Sequence, residues 1–142
     1  MGTAAAEVQV TGRRALPAAT VRRVVRAVLA GERRAADLSV TFLGPTRMRA
    51  LNRDYLGHDR PTDVIAFGLA QPDGGLVGDV YVCRAVAEGE ARRRGLPLRQ
   101  ELVRLVVHGT LHVLGWDHPA DDSRLRSPMW RRQERYVARL AP

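Results

Sequence analysis

At 142 residues the chain has the length of one ordinary domain, and its 45% hydrophobic and 27% charged residues are typical of a globular protein rather than a disordered or fibrous one. No run of 18 apolar residues is present and the start lacks a basic leader, which argues against membrane insertion and secretion. The net charge of +8 favours a polyanionic partner such as nucleic acid, and the single cysteine, Cys83, excludes an internal disulfide and favours a reducing cytoplasm.

The first half of the chain predicts strands and helices in alternation. Residues 8–10 are β-prone, and an apolar stripe of helical period follows Pro17 until Gly31 ends it. Residues 38–42 alternate apolar and polar side chains as in a half-buried strand, and residues 48–56 return to helical spacing. The predicted order over this half is therefore β, α, β, α.

The second half predicts a hairpin followed by helices. Residues 64–69 and 76–82 have the composition of strands, and the Gly-rich turn between them makes a hairpin. Helices are predicted over residues 84–94 and 97–114, and Ser127-Pro128 is predicted to cap and start a last helix that runs to Leu140. These elements predict one compact α+β domain over residues 1–142, with a small mixed sheet of about four strands packed with helices.

Three of the four histidines lie in the segment HGTLHVLGWDH at residues 108–118, which has the pattern HxxxHxxxxxH. His108 and His112 are four residues apart, so a helix places both imidazoles on one face, within reach of one metal ion. Gly115 suits the left-handed conformation that ends a helix, and the turned chain can then bring His118 to the same ion. Three imidazoles leave the fourth tetrahedral position to water, which is the arrangement of catalytic zinc sites.

Two other interpretations of this cluster stay open. Histidines on an apolar helix stripe are often core residues with satisfied hydrogen bonds. Cys83 as a fourth ligand would close the site and make it structural, although a cysteine after the strand-like Tyr81-Val82 is more typical of a core.

Gly109 distinguishes this segment from the metzincin proteases, which share its histidine spacing. Those proteases place a glutamate directly after the first histidine, where it acts as the general base. Glycine has no side chain that accepts a proton. Peptide hydrolysis by that route is therefore disfavoured, and water must be activated by the ion itself or by another group.

The segment resembles the hallmark H-G-x-L-H-L-x-G-Y-D-H of the YbeY family of single-strand-specific endoribonucleases. Other segments resemble family motifs in the same order along the chain: LNRDY at residues 51–55, PTDVIAF at 61–67, VGDV at 77–80, and then Asp121-Asp122, Met129 and Glu134. The resemblance implies a compact α+β fold, one zinc ion per chain on His108, His112 and His118, and cleavage of single-stranded RNA. It further implies a role in 16S rRNA 3′-end maturation and ribosome quality control, with rRNA and the ribosome or its small subunit as cytoplasmic partners.

The chain departs from the family pattern at one position of possible consequence. The common family form has an arginine after the tyrosine of L-N-x-x-Y, proposed to contact the RNA phosphate, and this chain has Leu56 there. Arg60, just before Pro61-Thr62-Asp63, is a candidate for that contact, with a solvated loop charge as the equal alternative. Trp116 in place of tyrosine is a mild change.

The mechanism expected from these residues is attack by the zinc-bound water on an RNA phosphodiester. Metal-binding imidazoles usually donate their other N–H to a carboxylate or carbonyl, so Asp117 and Asp79 are candidates to orient the histidines, with a turn role as the alternative for Asp117. Thr62 and Asp63 either line the cleft or cap the neighbouring strand. Met129 is either a floor beneath the metal or plain core.

Three functional classes remain open from sequence. The first and favoured class is the metal-dependent endoribonuclease. The second is a ribosome assembly factor in which zinc serves folding and RNA is bound without being cut. The third is a metal-dependent hydrolase of another substrate, such as a peptide or a small phosphoester.

Overall fold

The helices and strands follow one another in the order that the apolar patterns predict. A computed structural model describes residues 7–13 and 15–142 of the chain. The strands are β1 (Val8–Gly12), β2 (Asp37–Leu43), β3 (Val64–Ala70) and β4 (Leu76–Cys83). The helices are α1 (Ala18–Glu32), α2 (Pro45–Leu56), α3 (Arg84–Arg94), α4 (Leu98–Val113) and α5 (Pro128–Leu140), with a 3₁₀ turn at Asp122–Arg126. None of these helices is both long and apolar enough to cross a lipid bilayer.

The four strands form one mixed sheet in the order β1-β2-β4-β3. β1, β2 and β4 run parallel, whereas β3 is antiparallel to β4 and lies at the edge. The tight turn between β3 and β4 uses Gly74 at a φ of 89°, and the Asp73 carboxylate accepts a hydrogen bond from the backbone N–H of Gly75. The predicted α+β class and the sheet of about four strands are confirmed.

The main core lies between one face of the sheet and helices α1, α4 and α5. Val24 of α1, Val40 and Val80 of the sheet, and Val106 and Leu111 of α4 are fully buried there. On the opposite face α2 covers only one end of the sheet, through a small cluster of Leu43, Met48, Ile65 and Cys83. The rest of that face is open to solvent.

Helix α4 crosses the sheet at very short range because glycines stand at the crossing. A Cβ atom on Gly109 would overlap the side chain of the fully buried Val80, and a Cβ on Gly78 would overlap Val113. The close approach places His108, which directly precedes Gly109, near the β3 edge of the sheet. The crossing therefore determines where the histidine face of α4 points.

Helix α1 ends later than predicted, because Gly31 has a packing role instead of a capping role. The helix continues to Glu32, and Arg33 takes the left-handed conformation with a φ of 55°. Any side chain at Gly31 would overlap the ring of Tyr136. The Glu32 carboxylate accepts hydrogen bonds from Trp116 Nε1 at 2.9 Å, Arg132 Nε at 2.8 Å and the Tyr136 hydroxyl.

Replacing Glu32 by glutamine is expected to lower stability at neutral pH and to flatten its dependence on acid. These hydrogen bonds hold the pKa of Glu32 below its ordinary value of 4.5, against the opposing effect of burial, which is the largest single influence. The carboxylate therefore stabilises the fold fully above pH 4.5, and this stabilisation is lost as the pH falls through the lowered pKa. Urea unfolding at pH 7 should show a loss of about 1–2 kcal/mol.

The matched control is Glu88→Gln, which removes an exposed carboxylate paired with Arg84. Its effect should stay below about 0.5 kcal/mol. Equal losses for the two variants would contradict the importance of the Glu32 contacts.

Candidate metal centre

The three histidines of the hallmark segment are brought together by one helix and the turn that follows it. His108 and His112 lie one turn apart on α4. Gly115 adopts a φ of 100°, and the N–H groups of Gly115 and Trp116 bond back to the carbonyls of His112 and Leu111. This left-handed turn, as predicted for Gly115, returns the chain so that His118 faces the other two rings.

The spacing of the imidazoles fits a single tetrahedral metal ion. One ring nitrogen from each of His108, His112 and His118 lies within 4.8 Å of the other two, and the ring centroids are 4.6–5.0 Å apart. Nε2 of His108 and Nε2 of His118 are 3.3 Å apart. Two nitrogens about 2.0–2.1 Å from one zinc ion at the tetrahedral angle are about 3.3–3.4 Å apart. The three histidines are therefore placed to bind a metal.

The surroundings keep the imidazoles of His108 and His112 neutral, which is the form that binds metal. The pKa of His108 is lowered to about 4, chiefly by burial and then by the proximity of His112 and His118, while the hydrogen bond that its ring donates to Gln133 opposes the shift. The pKa of His112 is also lowered, chiefly by burial and then by His118. At neutral pH no proton has to leave these two rings before a cation binds.

The buried amide of Gln133 on α5 determines which nitrogen of His108 faces the site. Its Nε2 donates to Glu134 Oε2 at 3.0 Å, and Glu134 also accepts two hydrogen bonds from Arg104, both at 2.9 Å. The amide oxygen must then point to His108, whose Nδ1 lies 2.6 Å away. An oxygen accepts only from a protonated Nδ1, so the lone pair of His108 stays on Nε2. Gln133 could have been noticed in the sequence, because it is a polar residue within the otherwise apolar stripe of α5 that contains Met129, Tyr136 and Val137.

The other ring partners are backbone groups, and the two aspartates predicted to orient the imidazoles make different hydrogen bonds. Nδ1 of His118 lies 2.7 Å from the carbonyl oxygen of Pro119. Asp117 accepts from the backbone N–H of His118 at 2.8 Å, so it holds the turn. Asp79, on β4, accepts from the hydroxyl of Ser39 at 2.5 Å.

Two hollows open on either side of the histidines. The larger, of about 290 Å³, includes His108, His118, Thr62 and Asp63 in its lining. Burial raises the pKa of Asp63, whose carboxylate accepts from the backbone N–H of Val64. Thr62 and Asp63 both lie in the lining of this hollow, and Asp63 also caps the start of β3 through its hydrogen bond from Val64.

The larger hollow is also lined by arginines that were not among the residues predicted from the sequence. Arg94 and Arg124 are exposed at its rim, and the guanidinium of Arg94 lies 5.9 Å from the ring centroid of Trp130. Arg60 is exposed, and it is absent from the linings of both hollows among the described residues. Arg104 of α4 also belongs to the lining, so the cations beside the histidines come from α3, α4 and the 3₁₀ turn.

The smaller hollow, of about 220 Å³, is mostly apolar. Leu56, Val64, Ile65 and Ala66 line it together with His108 and His112. The position at which the family commonly has arginine thus lies beside the histidines, and here it presents a leucine.

Cys83 and Met129 are core residues. Cys83 is fully buried in the small cluster under α2, and Met129 is 1% exposed in the main core. Neither belongs to the histidine group among the described residues. Cys83 therefore does not close the site, and three histidines remain as its donors.

Replacing Gln133 by leucine is expected to weaken metal binding roughly 10- to 100-fold, because His108 loses the acceptor that fixes its tautomer and its orientation. Competition with a chromophoric chelator measures this affinity. Gln100→Leu is the matched control, since Gln100 also bonds across from α4 to the end of α5, at the Ala141 carbonyl, and makes no histidine contact. Equal metal affinity in both variants would contradict the orienting role.

The chain is similar in sequence to a known protein family and to several of its members. A family model described as Endoribonuclease YbeY matches residues 7–141. The protein named Endoribonuclease YbeY from Chlorobium luteolum is 37% identical over 131 residues, which are 92% of this chain and 93% of that protein. The one of the same name from Chromohalobacter salexigens is 46% identical over 88 residues, 60% of this chain and 57% of that protein.

A solved structure has the same fold. The solution structure of a Thermotoga maritima protein superimposes with a TM-score of 0.64 at 27% identity, and covers 94% of this chain and 88% of that one. The sequence relationship and the fold therefore agree over nearly the whole described chain.

Proposed function

Because the chain belongs to the endoribonuclease YbeY family, we propose that it is a zinc-dependent endoribonuclease of single-stranded RNA that acts in 16S rRNA 3′-end maturation and ribosome quality control. The observation that carries this proposal is the histidine group at the junction of two open hollows, in which Nε2 of His108 and Nε2 of His118 are 3.3 Å apart and one nitrogen of each ring lies within 4.8 Å of the other two. Its partners are single-stranded rRNA and the ribosome or its small subunit, in the cytoplasm.

Zinc is the proposed metal, one ion per chain, held by His108, His112 and His118. Three neutral imidazoles suit zinc and leave one tetrahedral position open. When bound, the ion supplies a water acidified towards neutrality and a positive charge against the phosphate oxygens. Gln133 and the Pro119 carbonyl hold the rings of His108 and His118 in position for it.

The chain's own cations position the RNA backbone. Arg94 and Arg124 line the larger hollow beside His118, where a phosphodiester entering the site meets them. Thr62 offers a hydroxyl in the same hollow, and Arg60 stands two residues before it in the α2–β3 loop as a further candidate for a phosphate contact. The backbone of that loop is held by Asn52, whose Nδ2 donates to the Arg60 carbonyl at 2.8 Å. The protein's net charge of +8 attracts the substrate over longer distances.

The direct test is cleavage of a labelled single-stranded RNA by the purified protein, with metal content measured by mass spectrometry. Cleavage should stop on chelation and return when zinc is restored, and a duplex of the same sequence should remain intact. A protein that holds one zinc ion and leaves single-stranded RNA uncut would contradict the proposal and favour the assembly-factor class.

Restoring the family arginine tests the substrate path. Leu56→Arg is expected to lower the KM for RNA several-fold, since it adds a cation at the smaller hollow beside His108 and His112. One added phosphate contact should also steepen the salt dependence of log KM by about 0.7. Ala138→Arg, at an exposed position of α5 outside the linings of both hollows, controls for the added charge. Identical salt slopes in the two variants would contradict a phosphate path past position 56.

A further inference from the structure

Exposed apolar side chains are concentrated beside the smaller hollow. Of the five large hydrophobic residues that are exposed among the described residues, four lie on α2 and the β3–β4 hairpin: Tyr55 at 68%, Leu56 at 51%, Leu69 at 68% and Val77 at 40%. Leu69 and Val77 are cross-strand partners. Large apolar side chains exposed together on one part of a domain mark a surface that binds something.

The centre of the patch is a row of three aromatic rings, Tyr55, Phe67 and Tyr81, which we call the aromatic row. The ring centroids of Tyr55 and Phe67 are 5.4 Å apart, and those of Phe67 and Tyr81 are 6.3 Å apart. Phe67 and Tyr81 are half-buried against the cluster under α2, so these two rings are held in place, while Tyr55 stands out into solvent.

The aromatic row is continuous with the metal centre. Tyr55 is followed directly by Leu56, and Ile65 is the cross-strand partner of Tyr81. Leu56 and Ile65 both line the smaller hollow with His108 and His112. Phe67 lies two residues beyond Ile65 on the same strand, about 7 Å along it. A bound polymer that extends from the histidines through the smaller hollow therefore reaches the aromatic row next.

The charged residues around the aromatic row are basic on the side of α2 and acidic on the side of the open sheet face, so a polyanion is favoured on the α2 side only. Helix α2 presents the exposed Arg47 on the side of Tyr81. Burial and then the negative charge of Asp79 raise the pKa of Tyr81, and the positive charge of Arg47 opposes the shift. On the other side Asp79 lies opposite Phe67, and beyond it Asp37 and Glu7 line the open sheet face. Phosphates are repelled there, so an extended anion is confined to the β3 edge and α2.

We propose that the aromatic row is a stacking platform for the bases of the single-stranded RNA whose backbone passes the histidines. The inference rests on the proposed function and adds the subsite that selects single strands. Bases in a duplex are paired and stacked on each other, whereas free bases can lie against aromatic rings whatever their sequence. The preference for single-stranded RNA then comes from the row and not from the metal.

The test compares binding of two single-stranded DNA decamers to the intact protein, one of thymidines and one of abasic sites, by fluorescence anisotropy. Both carry the same phosphates, so their difference isolates the bases. The wild type should bind the thymidine decamer roughly tenfold more tightly. Tyr55→Ala and Tyr55→Leu should abolish most of this difference, and Tyr55→Phe should keep it, because leucine retains apolar area without a flat ring.

The outcomes separate stacking from other uses of the patch. Tyr55 is exposed, so the variants should unfold at the same urea concentration as the wild type. A base preference that survives Tyr55→Ala overturns the proposal. So does a self-association of the wild type that Tyr55→Ala removes, since the patch would then bind a second copy. The measurement uses DNA and no cleavage, so it succeeds or fails independently of the endoribonuclease assay.

Discussion

Replacing His112 by alanine is expected to remove both the proposed zinc ion and the cleavage of RNA. His112 supplies one of the three imidazoles of the group, and its loss leaves two ring donors where catalytic zinc sites have three protein ligands. A metal ion contributes several kcal/mol to transition-state stabilisation, so the rate should fall at least about a thousandfold. Metal content per chain and single-turnover cleavage of a labelled RNA measure the two losses on the same sample.

His58→Ala is the control for this experiment, because His58 is exposed in the α2–β3 loop and does not belong to the histidine group. It should retain its zinc and most of its activity. If His112→Ala retained one zinc per chain, the assignment of the site would be wrong. If it lost zinc and still cut RNA at the wild-type rate, the metal would be structural and the nuclease centre would lie elsewhere.

Introducing the protease base, Gly109→Glu, is expected to unfold the protein substantially rather than to create a peptidase. Gly109 is buried where α4 crosses β4, and any Cβ there overlaps the fully buried Val80. Overpacking and an unpaired buried carboxylate together should cost about 3 kcal/mol or more. Such a loss is a large part of the 5–15 kcal/mol that typical domains possess. Urea unfolding followed by circular dichroism measures it.

Gly109→Ala separates the packing effect from the charge. In an open helix this change would stabilise by about 1 kcal/mol through helix propensity, so a loss of stability would reveal the contact with Val80. The double variant Gly109→Ala with Val80→Ala should be less destabilised than the sum of the single variants by about 0.5–3 kcal/mol. A stabilised Gly109→Ala protein would show that the helix has room at this position.

Gly109 illustrates how sequence and structure explain one residue differently. From sequence, glycine at this position means the absence of a general base, which argues against a protease. The structure adds a physical reason for its presence, since the helix could not approach Val80 with a larger residue. Both explanations hold, but only the second predicts a stability defect.

The departures from prediction have the same origin. Gly31 was expected to end α1, and it instead makes space for Tyr136, which is 105 residues later in the chain. The ring partner of His108 is Gln133, which lies on a different helix and was not a candidate from the sequence, whereas the orienting role of Asp117 and Asp79 stays a prediction. The separation of two residues along the chain does not show whether their side chains are in contact in the folded protein.

What the sequence determined by itself is local: the helical period of α4, the four-residue spacing of His108 and His112, and the left-handed turn at Gly115 that returns His118. Each depends on backbone geometry within a few residues, so pattern alone predicts it. The tertiary structure alone decided the sheet order, the orienting amide of Gln133, the two hollows and the aromatic row. These arise where distant segments pack together, and the free energy of packing depends on shapes that no single segment contains.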